Sequence, residues 1–308
     1  MGYFMKLHNN KESFNNLISI ISDYYKIDAA LIEKDYYVTL VLKELTNSVP
    51  TLIFKGGTSL SKCFKIIDRF SEDIDLTLES DSQTQGQKKK MKNSIIETCL
   101  KLELHIQNVD AIRSRRDYNC YKVEYPIKYS FNGIRPLLLI ETTYITKSYP
   151  CEKRYATSIV YDYLYETGNM QLIKKYELQP FEIKVQSLER TLVDKVFAIC
   201  DYYTSKRIER NSRHIYDISK ILTKVKIDES LRELVNAVRE ERSQLSSCFS
   251  AKDGVSINKI LKDIIDTEIY KKDYETLTRI MMYKYVDYEE AIESLKTIIE
   301  SKIFERNK

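Results

Sequence analysis

Glycine and proline are scarce in this chain of 308 residues, with seven of the first and five of the second, and tryptophan is missing altogether. So little glycine excludes a collagen-like or flexible low-complexity chain, and each glycine present is expected to serve a local backbone need. Only three histidines occur, His8, His105 and His214, and none stands four residues from another, which argues against a catalytic zinc built on histidine. Six cysteines, at 63, 99, 120, 151, 200 and 248, form no CxxC pair. They read as reduced, mostly buried thiols rather than a structural zinc site or a disulfide framework. Long apolar runs are absent too: Leu137-Leu138-Leu139-Ile140 falls far short of the roughly 18 to 20 residues that cross a bilayer. Met1 to Lys6 offers no apolar signal core, and Lys6 stands where a myristoylation signal has Ser or Thr, so a cytoplasmic location is expected. Finally, 49 basic against 45 acidic side chains leave a net charge of only +4. Any nucleic-acid surface must therefore be a local patch.

What is present fits a globular protein: 43% hydrophobic and 31% charged residues. Single cores stop growing near roughly 250 to 300 residues, so two parts are expected. Residues 11 to 48 carry apolar positions at helical spacing (Phe14, Leu17, Ile18, Ile21, then Leu31, Val38, Leu42, Leu45), which predicts two helices. Leu52-Ile53-Phe54 reads as a short strand, Gly56-Gly57 as a tight turn, and Thr58 to Ile67 as a helix. Asp73 to Leu78 alternates, with Ile74, Leu76 and Leu78 on one face and Asp73, Asp75 and Thr77 on the other, the pattern of a half-buried strand. A polar stretch from Ser80 to Lys92 leads into a helix to about Leu104, and Tyr121 to Tyr129 and Leu137 to Tyr144 read as strands of a hairpin around Asn132-Gly133. All five prolines lie between 50 and 180, and Gly254 is the one glycine of the last 128 residues, so the second half is expected to be helical. Ser187 is placed to cap a helix through Leu188, Leu192, Val196 and Ile199, with further helices near 212–224, 228–247, 256–269, 272–284 and 287–304. The fold class is thus α+β: a mixed-sheet domain with N-terminal helices over 1–185, then a helical domain over 186–308.

The chemistry concentrates around the glycine pair. Gly56, Gly57, Thr58 and Ser59 would offer amides and hydroxyls to an anion at the start of a helix. Asp73 and Asp75 lie one pleat apart on the same strand face, a costly pairing unless a cation sits between them. Magnesium suits such a place, since it takes a few carboxylate oxygens together with phosphates and water. A third acid from a neighbouring strand would complete the set: Glu141, alone in the apolar and β-branched run Leu139-Ile140-Glu141-Thr142-Thr143, or Glu124 in the preceding strand. Two metal ions on three carboxylates, facing an anion cradle, suit in-line displacement at a nucleoside triphosphate. Neither GxxxxGK[ST] nor GxGxxG occurs, so a P-loop nucleotidase and a dinucleotide enzyme are both unsupported. Lys62 and Arg69 are near enough in sequence to reach the triphosphate, and Lys34 and Asp35 read as a buried or interdomain pair supporting the cradle.

Phe54-Lys-Gly-Gly-Thr-Ser-Leu-Ser-Lys62 followed by Arg69-Phe-Ser-Glu-Asp-Ile-Asp-Leu76 resembles the signature of the AbiEii/AbiGii toxin family of nucleotidyltransferases, within the DNA polymerase β-like superfamily. Glu33-Lys-Asp-Tyr36 is similar to that family's N-terminal helix motif, and Leu188-Glu-Arg-Thr-Leu-Val-Asp-Lys195 to its second block. Arg213-His-Ile-Tyr-Asp217 resembles an Arg-Asp-x-x-Asp block in which His214 here replaces the first acid. The resemblance implies that Asp73 and Asp75 ligate magnesium or manganese, that Lys195 contacts nucleotide phosphates and that Asp217 acts at the active site from the helical domain. It further implies a cytoplasmic toxin of a toxin–antitoxin or abortive-infection system, a nearby cognate antitoxin, and transfer of NMP from NTP to RNA, with the tRNA 3′ end as the leading acceptor. Basic clusters at Lys88-Lys89-Lys90 with Lys92, at Arg113, Arg115 and Arg116, and from Lys206-Arg207 through Arg210 and Arg213 are candidate RNA contacts. Two alternatives remain: the same chemistry on a small molecule or protein hydroxyl, and a non-catalytic nucleotide- or RNA-binding module.

Overall fold

The computed structural model describes residues 6–306; of the Met1 to Lys6 stretch read for a leader, all but Lys6 lies outside the described residues. The chain divides into two compact units, one holding the residues up to Lys65 and Phe70–Val185, the other holding Ile66–Arg69 and the chain from Gln186 onward.

In the first unit, helix α1 (Lys11–Tyr25) starts where the Asn10 side chain accepts from the Ser13 amide, and it buries Phe14, Leu17, Ile18 and Ile21. Helix α2 (Ala29–Ser48) is capped by Asp28, which accepts from the Ala30 amide. It is buried nearly all round, and the charged Glu33, Lys34 and Asp35 lie inside with its apolar residues. Next come β1 (Leu52–Lys55), the single turn α3 (Gly56–Ser59), β2 (Asp73–Leu78), α4 (Gln85–Lys101), β3 (His105–Ile106), β4 (Tyr118–Glu124) and β5 (Leu138–Thr143). The unit closes with β6 (Cys151–Ala156), α5 (Ile159–Glu166), α6 (Met170–Lys175) and β7 (Phe181–Gln186). Among the described residues the strands form one sheet of seven in the order β3-β4-β5-β2-β1-β7-β6. It is mixed, because β1 runs antiparallel to β2 while β2 and β5 run parallel.

The alternation in β2 acts as its sequence predicts: Ile74, Leu76 and Leu78 are 0%, 0% and 1% exposed, while Asp73 and Asp75 stay partly open on the other face. Burying each aliphatic side chain stabilises the sheet by about 1.5–3 kcal/mol. Other expectations shift. The helix expected over Thr58 to Ile67 begins at Gly56, continues as a π-turn over Leu60–Phe64 and stops at Lys65, whose φ of 55° turns the chain away. Helix α4 starts inside the polar stretch, where Thr84 accepts from the Gln87 amide. Strands β4 and β5 do pair antiparallel, Cys120 opposite Glu141, but β4 ends at Glu124, so the connection is far longer than a hairpin around Asn132-Gly133.

The second unit is helical: α7 (Leu188–Thr204), α8 (Arg213–Leu222), α9 (Glu229–Ser243), α10 (Ile257–Thr267), the short α11 (Lys271–Asp273) and α12 (Tyr288–Ser301). Ser187 caps α7 by accepting from the Arg190 amide at 3.2 Å. The unit is fastened by buried polar bonds as well as apolar stripes. Asp273 accepts from the Arg210 and Ser212 amides at 2.7 and 3.0 Å, and the Tyr274 hydroxyl donates to the Val286 carbonyl at 3.1 Å. No helix among the described residues is long and apolar enough to cross a membrane.

Candidate active site

Sheet register builds the acidic face of the first unit. In the parallel β2–β5 pair Asp75 stands beside Glu141, and Asp73 stands one pleat before Asp75. Residues side by side in register project to the same face, so the three carboxylates share one surface. Each is partly exposed, whereas their strand neighbours Ile74, Leu76 and Ile140 are fully buried behind them. On the other side of β2, Asp75 pairs with Lys55, the residue before the glycine turn. Gly56 has φ +77° there, and a Cβ on it would fall 1.8 Å from Asp75 Oδ2. Glycine is required twice over, by backbone conformation and because the Asp75 carboxylate occupies the place of a side chain.

Thr58 and Ser59 do not present their hydroxyls outward as expected of an anion cradle. Both are buried; Thr58 Oγ1 donates to the Asp73 carbonyl at 2.5 Å and to Ser71 Oγ at 3.0 Å, and Ser59 Oγ donates to the Gly56 carbonyl at 2.8 Å. They fix the turn against the start of β2, and so fix Asp73. Among the described residues no group of three or more His, Cys, Asp or Glu side chains is arranged to hold a metal ion by itself. A magnesium ion seldom asks for such a cage, since it binds through one or two carboxylates, several waters and substrate phosphates. Hard oxygen donors on neighbouring strands, with a carboxylate laid over a glycine, fit that mode.

Behind this face, α2 carries three consecutive buried charges, each tied to a different segment. Glu33 accepts from the Lys128 and Tyr129 amides at 3.1–3.2 Å. Lys34 donates to Glu72 Oε2 at 2.7 Å and to the Arg135 carbonyl at 2.8 Å, while Glu72 also accepts from the Arg135 amide at 3.1 Å. Burial works against the Glu72 carboxylate, but Lys34 and that amide outweigh it and hold its pKa below the ordinary range. Asp35 accepts from Lys62 Nζ at 2.6 Å and from the Ile159 amide at 2.8 Å. Two expectations are corrected. Lys34 and Asp35 pair with Glu72 and Lys62, not with each other, since adjacent helical residues point to different faces. Lys62, expected near a triphosphate, is 2% exposed, and its ammonium is held by Asp35 and Thr39.

The remaining residues singled out in the sequence lie in the second unit. Asp217 on α8 is 0% exposed and accepts from Arg69 Nε at 2.8 Å, Arg69 Nη2 at 2.7 Å and Lys195 Nζ at 2.6 Å. Arg69, expected beside a triphosphate, is instead 3% exposed and grips Asp217 with both arms of its fork. Burial alone would raise the Asp217 pKa, yet the two cations hold it far below the usual carboxylate range. Neighbouring His214 is driven well below its ordinary value by burial, then by Lys195 and Arg213, so it is neutral.

Glu124, the other candidate third acid, faces His105 at 2.8 Å and Gln107 at 2.7 Å, close to the end of β4, whereas Glu141 is the acid in register with Asp75. Two side chains that the sequence did not single out join Glu141. The Tyr118 phenol hydrogen-bonds with it, and Cys120 lies opposite it in register, its thiol pushed up to about 11 by burial and then by Glu141. Only the period of β4, which puts 118 and 120 on one face, could have signalled them. Of the basic clusters, Lys88 is buried and bonded to Asp117 at 2.7 Å, while Lys89 and Lys90 are exposed.

The family model for the nucleotidyl transferase AbiEii toxin of type IV toxin–antitoxin systems matches residues 41–297. Among curated proteins none matches this chain. Among solved structures, MenT4, the nucleotidyltransferase toxin Rv2826c from Mycobacterium tuberculosis H37Rv, is similar with a TM-score of 0.50 and 13% sequence identity, covering 91% of this chain and 98% of that one. At that identity the likeness is one of fold.

Proposed function

This chain belongs to the family of AbiEii nucleotidyl transferase toxins of type IV toxin–antitoxin systems, and from that premise we propose that it transfers a nucleoside monophosphate from an NTP to an RNA hydroxyl, with magnesium, the acceptor being the 3′ end of tRNA. The family implies an NTP substrate and an antitoxin partner. The observation that carries the site assignment is the register of Asp73, Asp75 and Glu141 on one open face, with Asp75 laid over Gly56.

Asp75 and Glu141, on neighbouring strands, with Asp73 one pleat away, are the residues that would hold the metal. Bound there, it would neutralise the triphosphate and favour the ionised acceptor oxygen. The chain's own part is to position and to exclude. Gly56, lacking a side chain, leaves room for the Asp75 carboxylate, and in this reading the backbone amides of the Gly56-Gly57 turn meet the phosphate oxygens. Thr58 locks the turn to Asp73, and α2 braces the connection through Lys34 and Glu72. The acceptor oxygen bonds to the α-phosphorus as the bond to pyrophosphate breaks, and the hydroxyl proton passes to a carboxylate of the acidic face. In this reading Lys195 offers its remaining N–H groups to nucleotide phosphate, and Asp217, which holds that ammonium, is its positioning residue. Arg69 stands four residues before Asp73 in the chain, which supports a shared role for the two motifs.

The test is incubation with each of the four α-labelled NTPs, magnesium and total tRNA, with Asp75→Asn as control. Labelled tRNA that disappears with the variant is the expected result. Label on protein or on a small molecule would reject the RNA acceptor and keep the chemistry. Nucleotide binding with no label anywhere would reject the transfer reading itself.

A further inference from the structure

The helical unit holds a buried cation that the reading above does not use. Arg239 on α9 is 7% exposed. Its guanidinium donates to Asn236 Oδ1 at 3.2 Å and to the Phe304 carbonyl, and it lies 6.0 Å from the Phe197 ring. All of these partners are neutral, and among the described residues no carboxylate pairs with Arg239. Other arginines of the same unit are treated differently: Arg190 reaches Asp194 and Glu241, and Arg242 reaches Asp194 and Asp201. A buried guanidinium without an anion is uncommon, because removing its charge from water is costly unless an opposite charge repays it.

A second guanidinium makes matters worse. Burial first, and then the charge of Arg306, depress the Arg239 pKa, and no acid offsets them. Arg306 donates to the Ala251 and Lys252 carbonyls at 3.2 and 2.8 Å and to Asp253. Both arginines line one open pocket of about 400 Å³, with Ser243 on its wall. Lys252, whose ammonium bonds the Ser243 carbonyl, adds a third positive charge beside it. Two acids, Glu240 and Asp253, also line the pocket, but both are exposed, the Asp253 side chain 95% so. Carboxylates so fully solvated are weak counter-ions.

We propose that this pocket is an anion site for a phosphate oxyanion, with Arg239 at its floor and Arg306 at its rim. Guanidinium forks match tetrahedral phosphate oxygens in geometry, and two forks facing one space call for more acceptor oxygens and more charge than a single carboxylate supplies. The phosphate can come from free pyrophosphate or from a polynucleotide backbone. The site is built from residues of the helical unit alone, and its existence does not depend on how the acidic face acts.

Isothermal titration of the full-length chain with inorganic pyrophosphate, in EDTA at constant ionic strength, tests it. Saturable binding is expected, weakened at least tenfold by Arg306→Gln and by Arg239→Lys, and unchanged by Asp75→Asn. Arg306→Gln should keep the wild-type Tm and the wild-type transfer activity, so it decides the matter even if the buried Arg239 tolerates no change. Displacement of pyrophosphate by a short single-stranded RNA would assign the backbone as the source, and failure to displace it would assign free phosphate. Absent binding, or equal binding by wild type and Arg306→Gln, overturns the proposal.

Discussion

Each unit of the molecule is organised around charge, and the two handle it in opposite ways. In the first, Asp73, Asp75 and Glu141 stand on an open face, and two of the three consecutive buried charges of α2 are matched singly, Lys34 with Glu72 and Asp35 with Lys62. In the second, a single carboxylate, Asp217, serves two cations and is withdrawn from solvent altogether. Like charges left facing water and close together destabilise a fold, and persist where a ligand repays them. An acid sunk between two cations contributes in the reverse sense, because its removal leaves two buried charges uncompensated. The acidic face is thus poised for a ligand, whereas the Arg69–Asp217–Lys195 cluster first holds its own unit together and leaves only the spare N–H groups of Lys195 for a ligand.

Substitutions can break that contrast. Asp217→Ala should have the largest effect, a loss of about 3–5 kcal/mol of folding stability, readable in urea denaturation. Asp75→Asn should reduce transfer by roughly a hundred- to a thousandfold, about 2.7–4 kcal/mol in the barrier, yet leave stability unchanged or slightly higher. If Asp75→Asn instead lowered stability as far as Asp217→Ala does, the distinction between the two units would collapse. Gly56→Ala should combine both effects. Its positive φ and the 1.8 Å approach to Asp75 Oδ2 predict more than about 1 kcal/mol of destabilisation, together with lost transfer as the carboxylate is displaced.

Acid sharpens the comparison more gently. The Asp217 pKa in the folded state lies below its ordinary value, so its contribution is complete above about pH 4 and is lost as pH falls further, through the folded pKa. Stability of the wild type should therefore decline from pH 5 to pH 3 more steeply than that of Asp217→Asn. The smallest effect is expected from Glu124→Gln: the residue is exposed and engaged with His105 and Gln107, and transfer should equal wild type.

The most legible parts of the sequence were those written in short-range period. Alternation through Asp73 to Leu78 gave the strand and its acidic face together, and the lone acid among β-branched residues drew attention to Glu141. Register was not legible: nothing in the local sequence says that Glu141 rather than Glu124 lies beside Asp75, because strand pairing is settled by segments far apart in the chain. The same holds for the partners of cations. Lys62 and Arg69 read as basic residues near an anion site, yet Asp35 and Asp217 hold them, one 27 and the other 148 residues away. Strands β3, β6 and β7 and helices α5 and α6 were missed. The first of these is two residues long, and β6 carries exposed Lys153, Arg154 and Tyr155 in succession, which erases alternation.

The short excursion Ile66–Arg69 has a consequence for how the protein is made. These residues pack with the helical unit, although the ribosome produces them before β2 exists. Arg69 then waits for Asp217, 148 residues later, and Asp68, whose carbonyl accepts from the Tyr283 amide, waits longer still. Until most of the chain has emerged, Asp68 and Arg69 lack the partners that hold them in the helical unit. A prematurely ended chain thus leaves the Arg69 guanidinium without its carboxylate, and separate expression of the halves would divide one cluster of ion pairs between two polypeptides.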